Sequence, residues 1–169
     1  KPYQGRYPCG SLVHNGVWYY GTYCLGPGGS YMHNGFKWNW PNLGPMPGFQ
    51  NSRDFGRTWE PSPLSPEHPL FPEPKKFLGP VKMGAPHFVD FGRYMEWAAD
   101  DYVYMTCHGS EGPKPPEWAN GDSVYLLRCP ARFDDIIWPE GWEFFAGKTA
   151  AGGDLWTRDV TAARPLLTW

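Results

Sequence analysis

The run Ser52-Arg53-Asp54-Phe55-Gly56-Arg57-Thr58-Trp59 decides how the rest of the chain is read. It fits the pattern S-x-D-x-G-x-T-W, and each fixed position has a physical task. Ser52 ends one strand. Asp54 can accept a hydrogen bond from its own backbone two residues on, which builds a tight turn. Gly56 supplies the positive φ that such a turn requires. Thr58 and Trp59 open the next strand, the indole capping the sheet with a large apolar face. The run predicts a β-hairpin whose aspartate shapes the backbone and does no chemistry.

Composition extends that reading to the whole chain. The 169 residues suit one domain, and 21 glycines and 20 prolines punctuate them. Aromatic residues make up 18 % and hydrophobic residues 41 %, ample for a core, so many short strands joined by Gly/Pro turns are expected and disorder is not. The fold class predicted is all-β. The formal net charge is −2 and the basic residues are scattered, so no stripe tracks a phosphate backbone and no nucleic-acid partner is expected. No apolar run is long enough to span a membrane as a helix. The start, Lys1 to Arg6, has no signal-peptide core; a leader removed earlier would leave the same start.

Two of the four cysteines flank a predicted hairpin. Asn15-Gly16 is the strongest short hairpin signal. In a plain two-residue turn Cys9 faces Thr22 and Cys24 faces Tyr7, so the two thiols are diagonal neighbours about 7–8 Å apart. A disulfide there would need a bulge. Cys107 and Cys129 fall at opposite ends of successive antiparallel strands. Four free, buried thiols are expected.

A repeat organises the chain. Tyr23-Cys24-Leu25-Gly26 lines up with Thr106-Cys107-His108-Gly109, and Trp59-Glu60 lines up with Trp142-Glu143 at the same offset. Each unit reads as four strands: near 8–14, 17–24, 47–52 and 58–61 in the first, and near 84–90, 102–108, 123–129 and 142–146 in the second. The divisions are a unit at 7–62, a Pro-rich linker at 63–82, a unit at 83–147, and a run-in to a third unit at 148–169. The linker is too rich in proline for helix or central strand. A long loop, Pro130 to Gly141, stands in the second unit where the first has its Ser52–Trp59 turn. A short helix is conceivable only around Asp159 to Ala163.

The Ser52–Trp59 run resembles the Asp box of sialidase-like β-propellers. Asn39 to Trp59, Lys82 to Gly92 and Asp122 to Gly147 resemble secreted carbohydrate-active propeller proteins, most nearly the rhamnose–glucuronic acid lyases of polysaccharide lyase family 27 and neighbouring propeller glycosidases. Read as propeller blades, the two units are two four-stranded blades and the tail starts a third; the resemblance implies a seven-bladed ring with a sugar site at the mouth of its channel. The ring would be completed by further blades of the same protein or by identical chains. It also implies a polysaccharide or oligosaccharide partner, a secreted or periplasmic location, and room for a bound calcium; no residue set in the chain marks a metal site.

Candidate residues follow from two chemistries. Uronate elimination needs a base of tunable pKa, for which His87 and His108 are the candidates, beside Asp90. It also needs a cation for the carboxylate, for which Arg6 and Arg93 are the candidates. Strand alternation puts residues 87 and 90 on opposite faces, so they form a dyad only if the strand ends between them. Hydrolysis needs two carboxyl groups, about 5–5.5 Å apart for retention and about 6.5–9.5 Å for inversion. Asp90, Glu96, Asp100, Asp101 and Glu111 are the candidates. Tyr20 and Tyr23 are candidate tyrosine nucleophiles, and Tyr20 is also placed with Trp38 and Trp40 as a sugar contact; Trp118 offers another loop aromatic. The competing reading for each histidine is a hydrogen-bonded structural role, and for the tryptophans it is packing between sheets. Function is expected at the end of the strands away from the Ser52–Trp59 turn.

Overall fold

The computed structural model describes residues 3, 5–26, 31–38, 42–74, 79–112, 115–118 and 121–169. Among these, the first sheet has the order β1 (Gly5–His14), β2 (Val17–Leu25), β5 (Gly48–Ser52), all antiparallel. A small hairpin, β3 (Tyr31–His33) with β4 (Phe36–Trp38), stands apart. The second sheet is an antiparallel meander of β6 (Gly84–Phe88), β7 (Tyr102–Gly109), β8 (Ser123–Pro130), β9 (Glu143–Lys148) and β10 (Asp154–Thr157). β11 (Pro165–Thr168) also pairs with β8. The molecule is thus all-β, with open antiparallel sheets.

Local sequence explains the first hairpin. Asn15 (φ 48°) and Gly16 (φ 75°) both take left-handed backbone, the requirement of a type I′ turn, and His14 pairs with Val17 as expected. The register then slips between Cys9 and Ser11, so Cys9 faces Gly21 and Cys24 faces Arg6. The extra residue is Gly10, where a Cβ would meet Met105 Cε at 2.6 Å and the Phe88 ring at 3.1 Å. The bulge therefore serves close approach of the two sheets. It does not serve a disulfide, because all four cysteines are free and buried.

The core lies between the sheets. Val17, Tyr19 and Tyr23 of β2 point inward and alternate with half-buried Trp18, Tyr20 and Thr22. Val103, Met105 and Cys107 of β7 and Tyr125, Leu127 and Cys129 of β8 face them, none more than 2 % exposed. Phe49 stacks on Phe88 at 5.2 Å across the junction. The Pro-rich linker adds Leu70 and Phe71 to this core, and Phe71 meets Trp142 edge-on at 5.3 Å. Its path is pinned by the Glu73 carboxylate, which accepts from the backbone N–H groups of Val81 (2.9 Å), Lys82 (3.2 Å) and Met83 (2.8 Å). Burial pushes the Glu73 pKa up against the downward pull of those amides and Lys82.

Several expected elements differ. The strand expected at 58–61 is reduced to a single bridge, Asn51 with Glu60. Thr58 turns its amide to Asp54, and Pro61 has no N–H to extend a ladder. Trp59, expected to open a strand and cap the sheet, is 37 % exposed and lies against Trp18 at 5.2 Å. The loop after β8 contains a short helix, α1 (Phe133–Ile137), with Asp134 and Asp135 in its first turn. The segment 148–169 does not begin a separate sheet. β10 pairs with β9, and β11 lies on β8 beside the short β8–β9 ladder.

Candidate functional site

β1 and β6, the first strands of the two sheets, lie side by side, and their ends open a cleft of about 420 Å³. Ser11, Leu12 and Val13 form one wall; Phe88 to Met95 form the other. The second wall is an unusual piece of chain. Asp90 Oδ1 accepts from the Gly92 amide (2.8 Å), and the Trp97 indole packs on Gly92, leaving no room for a Cβ. Gly92 has φ 80° and ψ −175°, a conformation reserved for glycine. Tyr94 (φ 58°) and Met95 (φ 60°) follow, two successive left-handed residues that are not glycine. Each such residue costs of order 1–3 kcal/mol and persists only where its surroundings hold it. Here Met95 is anchored against the core, while Tyr94 stands 69 % exposed with the Arg93 guanidinium over its ring at 5.0 Å.

Beyond Tyr94 and Met95, which line both, a second cleft of about 700 Å³ is formed by His14, Asn15, Asp100, Asp101, Tyr102 and Arg132, among others. Asp100 accepts from the Tyr102 amide (3.1 Å) and from Tyr104 Oη (2.8 Å). Burial, and then that bond to Asp100, raises the Tyr104 pKa. Asp101 has no side-chain hydrogen bond or ion pair among the described residues. Arg132 is paired with Asp135, and His14 Nε2 lies 3.1 Å from the Ala131 carbonyl oxygen.

The structure brings together only some of the residues singled out in the sequence. Asp90 and Arg93 share the first cleft; Asp100 and Asp101 share the second. His87 is one residue from the cleft-lining Phe88, but alternation turns it to the outer face of β6, opposite Thr106. Protein atoms around its ring lower its pKa by desolvation, although the residue is exposed. His108 lies at the far end of β7, about 16 Å along the strand from the cleft residue Val103. There its ring lies tightly over Gly121 and helps to hold the Asp122 carboxyl below its usual range, after the bonds from Ser123 and the Glu111 amide. His87, His108 and Asp90 therefore do not converge. Arg6 is about 20 Å along β1 from Leu12. Tyr20 faces Ser11 in register but packs on Trp59 at 5.9 Å. Trp118 donates to Tyr23 Oη (3.0 Å) and lies on Tyr7 at 4.9 Å, and Glu111 takes the Tyr125 hydroxyl. Trp40 lies outside the described residues, as does the side chain of Trp38.

Among the described residues no group of three or more His, Cys, Asp or Glu could hold a metal ion. The carboxylates of the clefts do not fit a calcium cage, which needs six or more converging oxygens. The residues that sequence reasoning missed are Tyr94 and Met95 and the wall Ser11–Val13. A signal for the first pair exists only in part: Asp90-Phe91-Gly92 marks the turn, but nothing marks left-handed backbone at a Tyr-Met pair. The clefts also lie at the same end of the strands as the Ser52–Trp59 turn, since Ser52 pairs with Trp18 next to the β1–β2 turn. No family model, no curated protein and no solved structure matches the chain.

Proposed function

We propose that the protein is a carbohydrate-active enzyme that hydrolyses a glycosidic bond in a polysaccharide or oligosaccharide, on a sheet arrangement of the β-propeller kind. Its sugar site is the cleft between β1 and the 88–95 loop. The observation that carries this reading is the convergence of Asp90, Arg93 and the strained, exposed Tyr94 at one cleft, with Asp100 and Asp101 across the Tyr94 ridge. Carboxylates gather there, His87 and His108 stand away, and His14 is turned to the Ala131 carbonyl, which favours hydrolysis over uronate elimination. In the hydrolytic scheme one carboxyl protonates the leaving oxygen and the other attacks the sugar or activates water. Asp90 takes one role, and Asp100 or Asp101 the other. Tyr94 offers a ring face to a sugar. The adjacency of β1 and β6, with the sheets extending away from them, supports two blades meeting at their inner strands. The resemblance to secreted propeller proteins carries a secreted or periplasmic location with this reading.

Incubation of the protein with neutral and uronic-acid polysaccharides tests this. New reducing ends without the ultraviolet absorbance of an unsaturated sugar are expected. Absorbance would mean elimination. Binding with neither signal would favour the second reading, a non-catalytic lectin-like propeller, which the same cleft supports.

A further inference from the structure

We infer that the two clefts are one continuous groove for an internal stretch of a linear saccharide that carries no acidic groups, with Tyr94 as the ridge between neighbouring sugars. This rests on the saccharide reading of the site and adds length and charge selectivity to it. One wall is continuous: Ser11, Leu12 and Val13 line the first cleft, and the next two residues of the same chain, His14 and Asn15, line the second. From Ser11 to His14, where β1 ends, the run is about 10 Å long, and Asn15 carries it into the turn. Tyr94 and Met95 border both spaces. Each space alone, about 420 Å³ and about 700 Å³, falls within the range of a site for a drug-sized molecule, so the pair holds more than one sugar ring.

Charge sets the class of occupant. Asp90, Asp100 and Asp101 supply three carboxylates to the groove. Two arginines line the groove as well, but Arg132 is ion-paired to Asp135 and Arg93 is stacked on the ring of its neighbour Tyr94, so the three carboxylates outnumber the guanidiniums left to meet an anion. His14 is turned to the Ala131 carbonyl. A uronate would meet carboxylates without a committed cation. A hydroxyl-rich or amine-bearing sugar would find acceptors, with Asp101 the one carboxylate of the three that takes no donor among the described residues. The Tyr94 backbone strain then has a use, since it lifts the ring out of the surface between the two spaces while Met95 keeps the loop fixed.

The test is calorimetric titration of the protein with short and long glucosamine oligomers, their N-acetylated counterparts, and oligogalacturonate. The long oligomer is expected to bind about tenfold tighter than the short one, and oligogalacturonate to bind weakest. Tyr94→Gly suits its left-handed backbone, so the variant keeps the fold, and it should lose about tenfold in affinity for the long oligomer. Asp101→Asn should narrow the preference for amine over N-acetyl oligomers by about threefold, the scale of an exposed charge pair. Equal affinity for short and long oligomers would overturn the continuous groove. Oligogalacturonate binding as tightly as the amine oligomer would overturn the charge selectivity. Neither readout needs cleavage, so loss of the hydrolytic reading leaves this inference standing, and the reverse also holds.

Discussion

Two aspartate turns lie at the same end of the strands, and they use their carboxylates in opposite ways. In the Ser52–Trp59 turn the Ser52, Asp54 and Thr58 side chains are spent on one another and on the turn's own backbone. Asp54 accepts from the Thr58 amide (2.8 Å) and the Thr58 hydroxyl (2.7 Å), and Ser52 Oγ donates to Asp54 Oδ1 (2.9 Å) while accepting from the Gly56 amide (2.8 Å). Trp59 Nε1 closes on the Gly56 carbonyl (3.1 Å). The bonds from Thr58 hold the Asp54 carboxyl below its usual pKa. In the Asp90–Asp101 loop, by contrast, Asp100 is bonded to Tyr102 and Tyr104, but Asp90 takes one backbone amide and Asp101 takes no side-chain bond among the described residues. The strain there falls on Tyr94 and Met95, next to open space. A carboxylate saturated by its own turn is a folding device. One left with spare acceptor capacity beside a cleft and a strained aromatic can act on a ligand.

Asp90→Asn is the harshest way to break this contrast. If Asp90 acts on substrate, hydrolysis should fall by about 100-fold or more, because a positioned acid or base contributes on that scale. Its amide still accepts from the Gly92 N–H, so the melting temperature should stay close to that of the parent. A variant that cleaves normally would remove Asp90 from the chemistry and return the loop to a structural role.

Asp54→Ala should do the reverse. It leaves Thr58 without its carboxylate partner and Ser52 without an acceptor, so the melting temperature should drop by a few degrees, while activity per folded molecule is unchanged. Calorimetry and kinetics on one preparation separate the two effects. A loss of kcat without a loss of stability would mean that this turn reaches the site.

The contrast also explains what could be read from the chain before its structure. Strong local patterns were legible. Alternation in Val103, Met105 and Cys107 places β7 within a residue or two, and Asn15-Gly16 fixes the first turn. In the Ser52–Trp59 run the turn was legible but its wiring was not. Ser52, and not Asp54, accepts from the amides inside the loop, and Asp54 reaches four residues on. α1 has five residues between two prolines, too short for a helical period to register. The cleft itself depends on β1 meeting β6, a long-range contact set by the missing side chain at Gly10. Asp90 and Arg93 were legible because they follow a strand end. His87 and His108 were singled out for their chemistry, but the pleat places both on the outer face of the second sheet.

A gentler probe is acid. The folded-state pKa of Asp54 is lowered relative to its unfolded value of about 3.9. Its contribution to stability is therefore fully present above that value and is lost as pH falls through the lower folded pKa. Melting temperatures followed from neutral pH to below about pH 4 should fall more steeply for the parent than for Asp54→Asn, which has no proton to take up there. Parallel curves would mean that the carboxylate's hydrogen bonds add nothing the amide does not.

The smallest expected effect sharpens the comparison most. Tyr94 and Phe55 are both exposed aromatics with left-handed backbone, at 69 % and 92 % exposure and φ of 58° and 59°. Replacing either by glycine relieves local strain, offset in part by the greater freedom glycine gives the unfolded chain. Tyr94→Gly and Phe55→Gly should therefore shift stability alike, by about 1 kcal/mol or less in the favourable direction. Their functional consequences should part. Tyr94 stands between two clefts, so its loss should weaken saccharide binding even as the fold tightens. Phe55 lines neither cleft, so its loss should leave binding where it was. Thermal melts paired with oligosaccharide titrations decide the matter. If both variants bind like the parent, left-handed aromatics at this end of the molecule are only a consequence of turn geometry. If only Tyr94→Gly weakens, the strain in the Asp90–Asp101 loop is maintained for the ligand.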